Sequence, residues 1–318
     1  MKIIIIGRLT DYNAEFFYAK YLRKLGLEVE ILDMFQGIHY RMLRSIIHSR
    51  TKLFRFALKG LYINKNAYNY IRELSPDAII VFRGELVSKT LLKSLRDNFH
   101  VYLFYPDVFK FLNSISDRLY LYDTVFSAAN VHKRYMDLGA KNVVTIPWAC
   151  DPEFHRFIPS VPKLYEASFI GTAYIERRRK LRSLKNVQIF GNYWFGFSNR
   201  NHGPVTGEEY VLTINRSFIN INLQAQASVI GDAPTMRTFE IAGCRGFQIS
   251  ENMRSIKEYF PRMPTFRDCK ELKELVNYYN NNISEAEDIA LNNQLICYKR
   301  FTYEVASKRI LSMIHNQN

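Results

Sequence analysis

One rhythm runs along this chain: a short β-rich run, a stretch with helical spacing, then another run. Strands are expected at Ile3–Ile6, Glu28–Leu32, Ala78–Phe82, His100–Phe104, Thr124–Ser127 and Asn142–Ile146, with helices such as 13–25, 88–97 and 129–138 between them. That alternation builds a parallel sheet with helices on both faces. It then restarts. Ala167–Gly171, Val187–Gly191, Phe218–Leu223, Gly246–Ile249 and Thr265–Phe266 read as strands, and 175–184, 235–244, 252–259, 269–280 and 284–296 as helices. The fold class expected is therefore α/β, with two Rossmann-like, doubly wound parallel-sheet domains in tandem.

At 318 residues the chain suits two domains of about 150 residues each. The join is expected in Pro147–Pro162, where Pro147, Pro152, Pro159 and Pro162 interrupt regular structure. This divides the chain into domains at 1–155 and 156–300, with a last helix in 301–318 packing back on the first. Ligands of open α/β sheets sit beyond the carboxyl ends of the strands. The loops after Ile6, Phe82, Phe104, Phe169, Phe190 and Leu223 should therefore face an interdomain cleft.

Net charge of +14 favours an anionic partner: a nucleotide, a membrane surface or a nucleic acid. Cys150, Cys244, Cys269 and Cys297 have no metal or redox spacing, and a chain of this size does not need disulfides, which fits a reducing cytoplasm. The apolar run of Met1–Gly7 is too short for a signal peptide and reads as a buried strand. No segment reaches the roughly 18 apolar residues of a membrane span.

The segment Asp232-Ala-Pro-Thr-Met-Arg-Thr-Phe-Glu-Ile-Ala-Gly243 combines a helix start with an arginine and two carboxylates. Pro234 suits a first turn, so the helix should begin near 234, with Asp232 or Thr235 capping its amides. Arg237 in that turn opposes the helix dipole unless an anion is held there, and it shares a face with Glu240. A diphosphate at the free amides of the helix start, in the turn formed by Ala233, Pro234 and Thr235 and beside Arg237, and a ribose diol at Glu240 would account for both. An Asp-capped core helix with a solvated arginine is the alternative. Gly171 and Thr172 follow one strand, with Arg177 on the next helix, and Gly191, Asn192 and Tyr193 follow another, ready to contact a phosphate and a base. Tyr193 and Trp194 serve equally as packing, and Gly171 as a plain turn glycine.

Taken together, Tyr122-Asp-Thr-Val-Phe, Gly139-Ala, Ile146-Pro-Trp-Ala-Cys-Asp-Pro, Phe169-Ile-Gly-Thr with Arg177, Phe190-Gly and Arg237-Thr-Phe-Glu-Ile-Ala-Gly-Cys-Arg-Gly resemble the CgeB-like (spore-maturation) glycosyltransferases of the two-domain GT-B fold. Val81-Phe-Arg-Gly and Tyr105-Pro-Asp107 match as well. The resemblance implies a nucleotide-sugar donor bound mainly by the second domain, with Glu240 on its ribose. Asp232 falls at the first acid of the Glu-X7-Glu signature of retaining families, one methylene shorter than that glutamate. Asp232, Arg237 and Asp107 are the catalytic candidates, and Gly7, Arg8, Arg83, Gly84 and Asp107 line the acceptor side.

None of the aspartates lies two residues from another, so the chain has no Asp-X-Asp chelator. Arg177, Arg237 and helix amides would have to meet the leaving-group charge without a metal or other cofactor. Of the seven histidines, His155 is expected to line a cleft. Asp107, after Pro106, is also a common turn and cap residue. Residues 41–61 combine an apolar stripe with Arg41, Arg44, His48, Lys52, Arg55 and Lys59, which suits an acidic bilayer or an ordinary basic helix. The acceptor is left open among lipid-linked, protein and nucleic-acid molecules, as is a binding protein that kept the fold without turnover.

Overall fold

The computed structural model describes residues 1–9, 12–33, 65–85, 87–105 and 112–316. It divides into two compact units: Met1–Pro147 with the chain from Ser307 onward, and Trp148–Ala306. Trp148–His155 therefore goes with the second unit, not the first as the proline-rich join suggested. The physical reason is backbone pairing within that unit, where Cys150 N donates to Phe301 O at 2.9 Å and Tyr303 N donates to Cys150 O at 3.0 Å.

The first unit holds six strands, β1 (Lys2–Gly7), β2 (Glu28–Asp33), β3 (Ala78–Phe82), β4 (His100–Tyr105), β5 (Val125–Ser127) and β6 (Val143–Thr145), in the order β2-β1-β3-β4-β5-β6. Every pairing is parallel. Ile3, Ile4, Ile5 and Ile6 are at most 1% exposed, which is why this strand is continuously apolar where a half-solvated one would alternate. Side chains at the sheet's carboxyl edge stack, with the Phe82 and Phe104 rings 4.9 Å apart and Tyr18 against both.

The second unit holds β7 (Tyr165–Ile170), β8 (Val187–Phe190), β9 (Ser217–Asn222), β10 (Gln248–Glu251) and β11 (Thr265–Phe266), in the order β11-β10-β9-β7-β8 and again all parallel. Parallel pairing brings the carboxyl ends of β7, β8 and β9 to one edge, since Ile170 is level with Phe190 and Ser168 with Asn220. The helix Gly207–Arg216 between β8 and β9 was not expected from the sequence. Its apolar residues run directly into the strand that follows, so no spacing marks its end. Among the described residues no helix is long and apolar enough to cross a membrane.

Candidate functional site

The site is assembled from three loops at the carboxyl edge of the second sheet. The loops after β7 and β8 are locked together: Gly171 N donates to Phe190 O at 2.8 Å, Ala173 N to Asn192 O at 3.0 Å, and the Trp194 indole to Gly171 O at 2.8 Å. A Cβ on Gly191 would lie 2.0 Å from Gly171 O, so this glycine is required by the loop-to-loop approach. Trp194 is buried against Phe169 and Phe197. Tyr193 stays 58% exposed, on a backbone with φ of 65°. A non-glycine residue held there stores strain of a kind that concentrates at functional sites.

Arg177, on the helix Ile175–Arg182, is 6% exposed. Its Nη1 donates to Thr172 O at 3.0 Å and its Nη2 to Leu223 O at 2.8 Å, tying the β7 loop to the end of β9. The guanidinium lies 5.4 Å from the Phe169 ring and 4.9 Å from Tyr174. Arg237, second residue of the helix Met236–Gly243, sits 6.0 Å from the same Phe169 ring. Burial first, and the charge of Arg237 second, push the Arg177 guanidinium down to about 10.

Neither arginine has a carboxylate partner among the described residues. Glu251 is engaged by Lys180 and by Gln224 N–H (2.6 Å), and Glu240 by Tyr210 and His155. The Nε atoms of Arg177 and Arg237 and the Thr235 hydroxyl are buried with no hydrogen-bond partner. Native proteins rarely leave such groups unpaired without a role for them.

The helix begins at Met236, two residues beyond Pro234, with Thr235 at its N-cap. Neither expected cap forms. Thr235 makes no side-chain cap bond, and Asp232 Oδ1 instead accepts from Ser255 N at 3.0 Å and Ser255 Oγ at 2.9 Å. The positive φ of 48° at Asp232 turns the chain toward that neighbour. The residue that fastens the helix start is Gln224, whose Oε1 accepts from Thr235 N at 2.9 Å. Its amide nitrogen continues to Thr238 Oγ1 (3.0 Å), which also receives Asn222 Nδ2 (2.9 Å). Ala233 and Pro234 are buried beneath this turn.

Glu240 is 6% exposed. The Tyr210 hydroxyl donates to its Oε2 at 2.6 Å, and His155 Nε2 lies 3.6 Å from its Oε1. Asp151 N donates to His155 Nδ1 at 3.0 Å, which places the imidazole proton on Nε2, facing the carboxylate. His155 is therefore a 1% exposed core residue of the second unit, in place of the cleft-lining histidine expected. Burial and the Glu240 charge raise the Tyr210 phenol well above its usual value.

In the first unit Gly7 ends β1, one residue past the level of Ile6 and Val81, and Arg83 and Gly84 follow β3 directly. Arg83 and Gly84 have φ of 68° and 73°, and a Cβ on Gly84 would meet the Tyr122 hydroxyl at 2.9 Å. The 7% exposed Glu15, which sequence reasoning missed, lies beside them. Burial raises its carboxyl, while Arg83 and Arg8 pull it down. Asp107 and the basic stretch 41–61 lie outside the described residues. Tyr210 was missed because its helix was; Gln224 carried a usable signal, an amide directly after a strand's carboxyl end.

Residues 173–312 match a family model described as glycosyl transferase-like. No curated protein sequence is significantly similar to the chain. Among solved structures, sucrose-phosphate synthase from Thermosynechococcus elongatus superposes with a TM-score of 0.71 at 11% identity, covering 100% of this chain and 99% of that one. Anabaena HepE, in complex with UDP and glucose, gives 0.68 at 13% identity over 99% and 100%. AviGT4, a glycosyltransferase involved in avilamycin A biosynthesis, gives 0.62 at 11% identity over 100% and 98%. The chain thus has the GT-B fold, and the match at 173–312 spans the loops and helices around Arg177, Gln224, Arg237 and Glu240.

Proposed function

We propose that the protein is a glycosyltransferase of the CgeB-like kind, taking its sugar from a nucleotide-activated donor held by the second unit. The observation that carries this reading is the cluster of buried, unpartnered polar atoms on Arg177, Thr235 and Arg237 around one helix start. Two guanidiniums lie against one phenylalanine ring there with no opposing carboxylate among the described residues, an arrangement that a diphosphate completes. Gly171, Thr172 and Arg177 take one side of the donor, Gly191, Asn192 and Tyr193 the base, and Glu240 the ribose. Because the HepE complexes contain UDP and UDP-glucose, uridine nucleotides are the first donors to try.

In the transfer, the acceptor oxygen bonds to the anomeric carbon on the face from which the diphosphate leaves, as the carbon–diphosphate bond breaks and the acceptor's hydroxyl proton passes to the departing phosphate oxygen. Charge develops on the departing diphosphate, where Arg177, Arg237 and the helix amides meet it without a metal. Asp232 on the donor side supports a retaining outcome, and Gly7, Arg8, Arg83, Gly84 and Asp107 serve the acceptor. Titration calorimetry with UDP tests the site: Arg237→Ala is expected to weaken binding at least tenfold with the fold intact, and unchanged affinity would refute the assignment.

A second reading, a nucleotide-binding protein without turnover, is favoured by the engagement of Asp232 Oδ1 with Ser255. Slow sugar release from UDP-glucose supports the enzyme; tight binding with no release supports the binder.

A further inference from the structure

The loop after β8 is built to hold aromatic side chains outward. Trp194 is pinned inward through its bond to Gly171 O, so its neighbour Phe195 faces solvent and is 73% exposed. The backbone is fixed on that side by Arg178, which donates to Tyr193 O and, at 3.4 Å, to Phe195 O, and whose guanidinium lies 5.7 Å from the Phe195 ring. One helical turn before Arg178, Ile175 is 84% exposed and Tyr174 is 53% exposed. An open groove of about 490 Å³ runs along the same helix, lined by Ile175, Arg178, Arg179, Arg182 and Ser183. The acid of this helix, Glu176, is paired with Arg179 at 2.8 Å.

We propose that this face, formed by the helix Ile175–Arg182 and the 193–195 loop, docks on an acidic lipid bilayer. Ile175, Phe195 and Tyr174 enter the headgroup boundary, and the arginine-lined groove receives a lipid phosphate. Cations interleaved with exposed apolar and aromatic side chains are the chemistry of interfacial binding. A protein partner asks for about 800 Å² of matched surface on each side, whereas a bilayer asks only for a few inserted side chains and a positive field. The face lies at the same sheet edge as Arg177. Docking itself does not depend on the sugar-transfer reading; where both hold, the donor site is held at the membrane and the acceptor is a lipid-linked molecule.

Co-sedimentation of the full chain with phosphatidylcholine vesicles, with and without phosphatidylglycerol, tests the proposal. Binding is expected only with phosphatidylglycerol, declining as salt rises. Ile175→Ser with Phe195→Ser should abolish it. Arg179→Glu with Arg182→Glu should weaken it by about 25-fold or more, at about fivefold for each arginine lost. Both pairs should keep the wild-type UDP affinity, and if one fails to fold, the other reports on the same face. Wild-type protein that ignores acidic vesicles, or variants that bind them as wild type does, would overturn the proposal. Full displacement by soluble glycerol phosphate would overturn it in favour of a small phosphate ligand. Self-association abolished by the same variants would do so in favour of a second copy of the chain.

Discussion

Burial and the charge of Arg237 both disfavour the Arg177 guanidinium, and a bound anion would offset that cost. Removing one cation therefore has opposite effects on the empty and the loaded protein. Arg237→Ala is expected to leave the melting temperature of the free protein unchanged or slightly raised. The stabilisation conferred by UDP should fall well short of the roughly 2.7 kcal/mol available at a hundred times the dissociation constant. Differential scanning fluorimetry with and without UDP reads both, and a variant destabilised without ligand yet stabilised by UDP as fully as wild type would contradict the anion site.

Tyr210 acts at the same scale through Glu240. Its hydroxyl is one of two groups holding that carboxylate, so Tyr210→Phe leaves a buried acceptor short of a donor, at about 1–3 kcal/mol. If Glu240 meets a ribose, the variant should also lose discrimination between UDP and its 2′-deoxy analogue. Equal discrimination in calorimetry would remove the ribose role while leaving the stability effect. The sign of the pH effect follows from the raised phenol. The folded protein holds the Tyr210 proton that the unfolded chain loses near pH 10, so this stability is complete below pH 10 and declines above it. Alkaline unfolding curves should be shallower for Tyr210→Phe than for wild type.

At the scale of elements, the helix Met236–Gly243 takes its position from the strand before it. Gln224 holds the N-cap residue through Thr235 N and reaches the Thr238 hydroxyl, so it anchors the helix start where no side-chain cap forms. Gln224→Ala should cost about 1–3 kcal/mol in urea unfolding and weaken UDP, because the amides and Arg237 lose their fixed direction. Retained UDP affinity in a destabilised variant would limit Gln224 to stability. Gly191→Ala offers a stronger contrast. Its Cβ meets backbone at 2.0 Å, so the β7 and β8 loops must separate, and both stability and binding should fall together.

Across the whole molecule, the charge of +14 is spread over a chain whose candidate diphosphate site rests on one arginine pair in the second unit. Sugar transfer, once a donor and acceptor are found, is expected to continue in excess EDTA, since the arginines and helix amides carry the leaving-group charge. Loss of turnover restored by magnesium or manganese would refute this.

What the chain reveals unaided are properties that depend on neighbours in sequence. The runs Ile3–Ile6 and Ala78–Phe82 announce buried parallel strands because a strand covered on both faces must be apolar at every position. Gly171, Gly191 and Arg237 announce strand ends and a helix start because backbone geometry and the helix dipole act within a few residues. Partners distant in sequence are not legible this way. That Asp232 serves Ser255, that Gln224 anchors a helix start, that His155 and Tyr210 enclose Glu240, and that Gly191 makes room for Gly171 each depend on a contact between separate elements. The parallel registers of β7, β8, β9 and β10, with the helices packed on them, set those distances. Hydrogen bonds and close packing reach a few ångströms, and which residues come within that reach is decided by the tertiary structure alone.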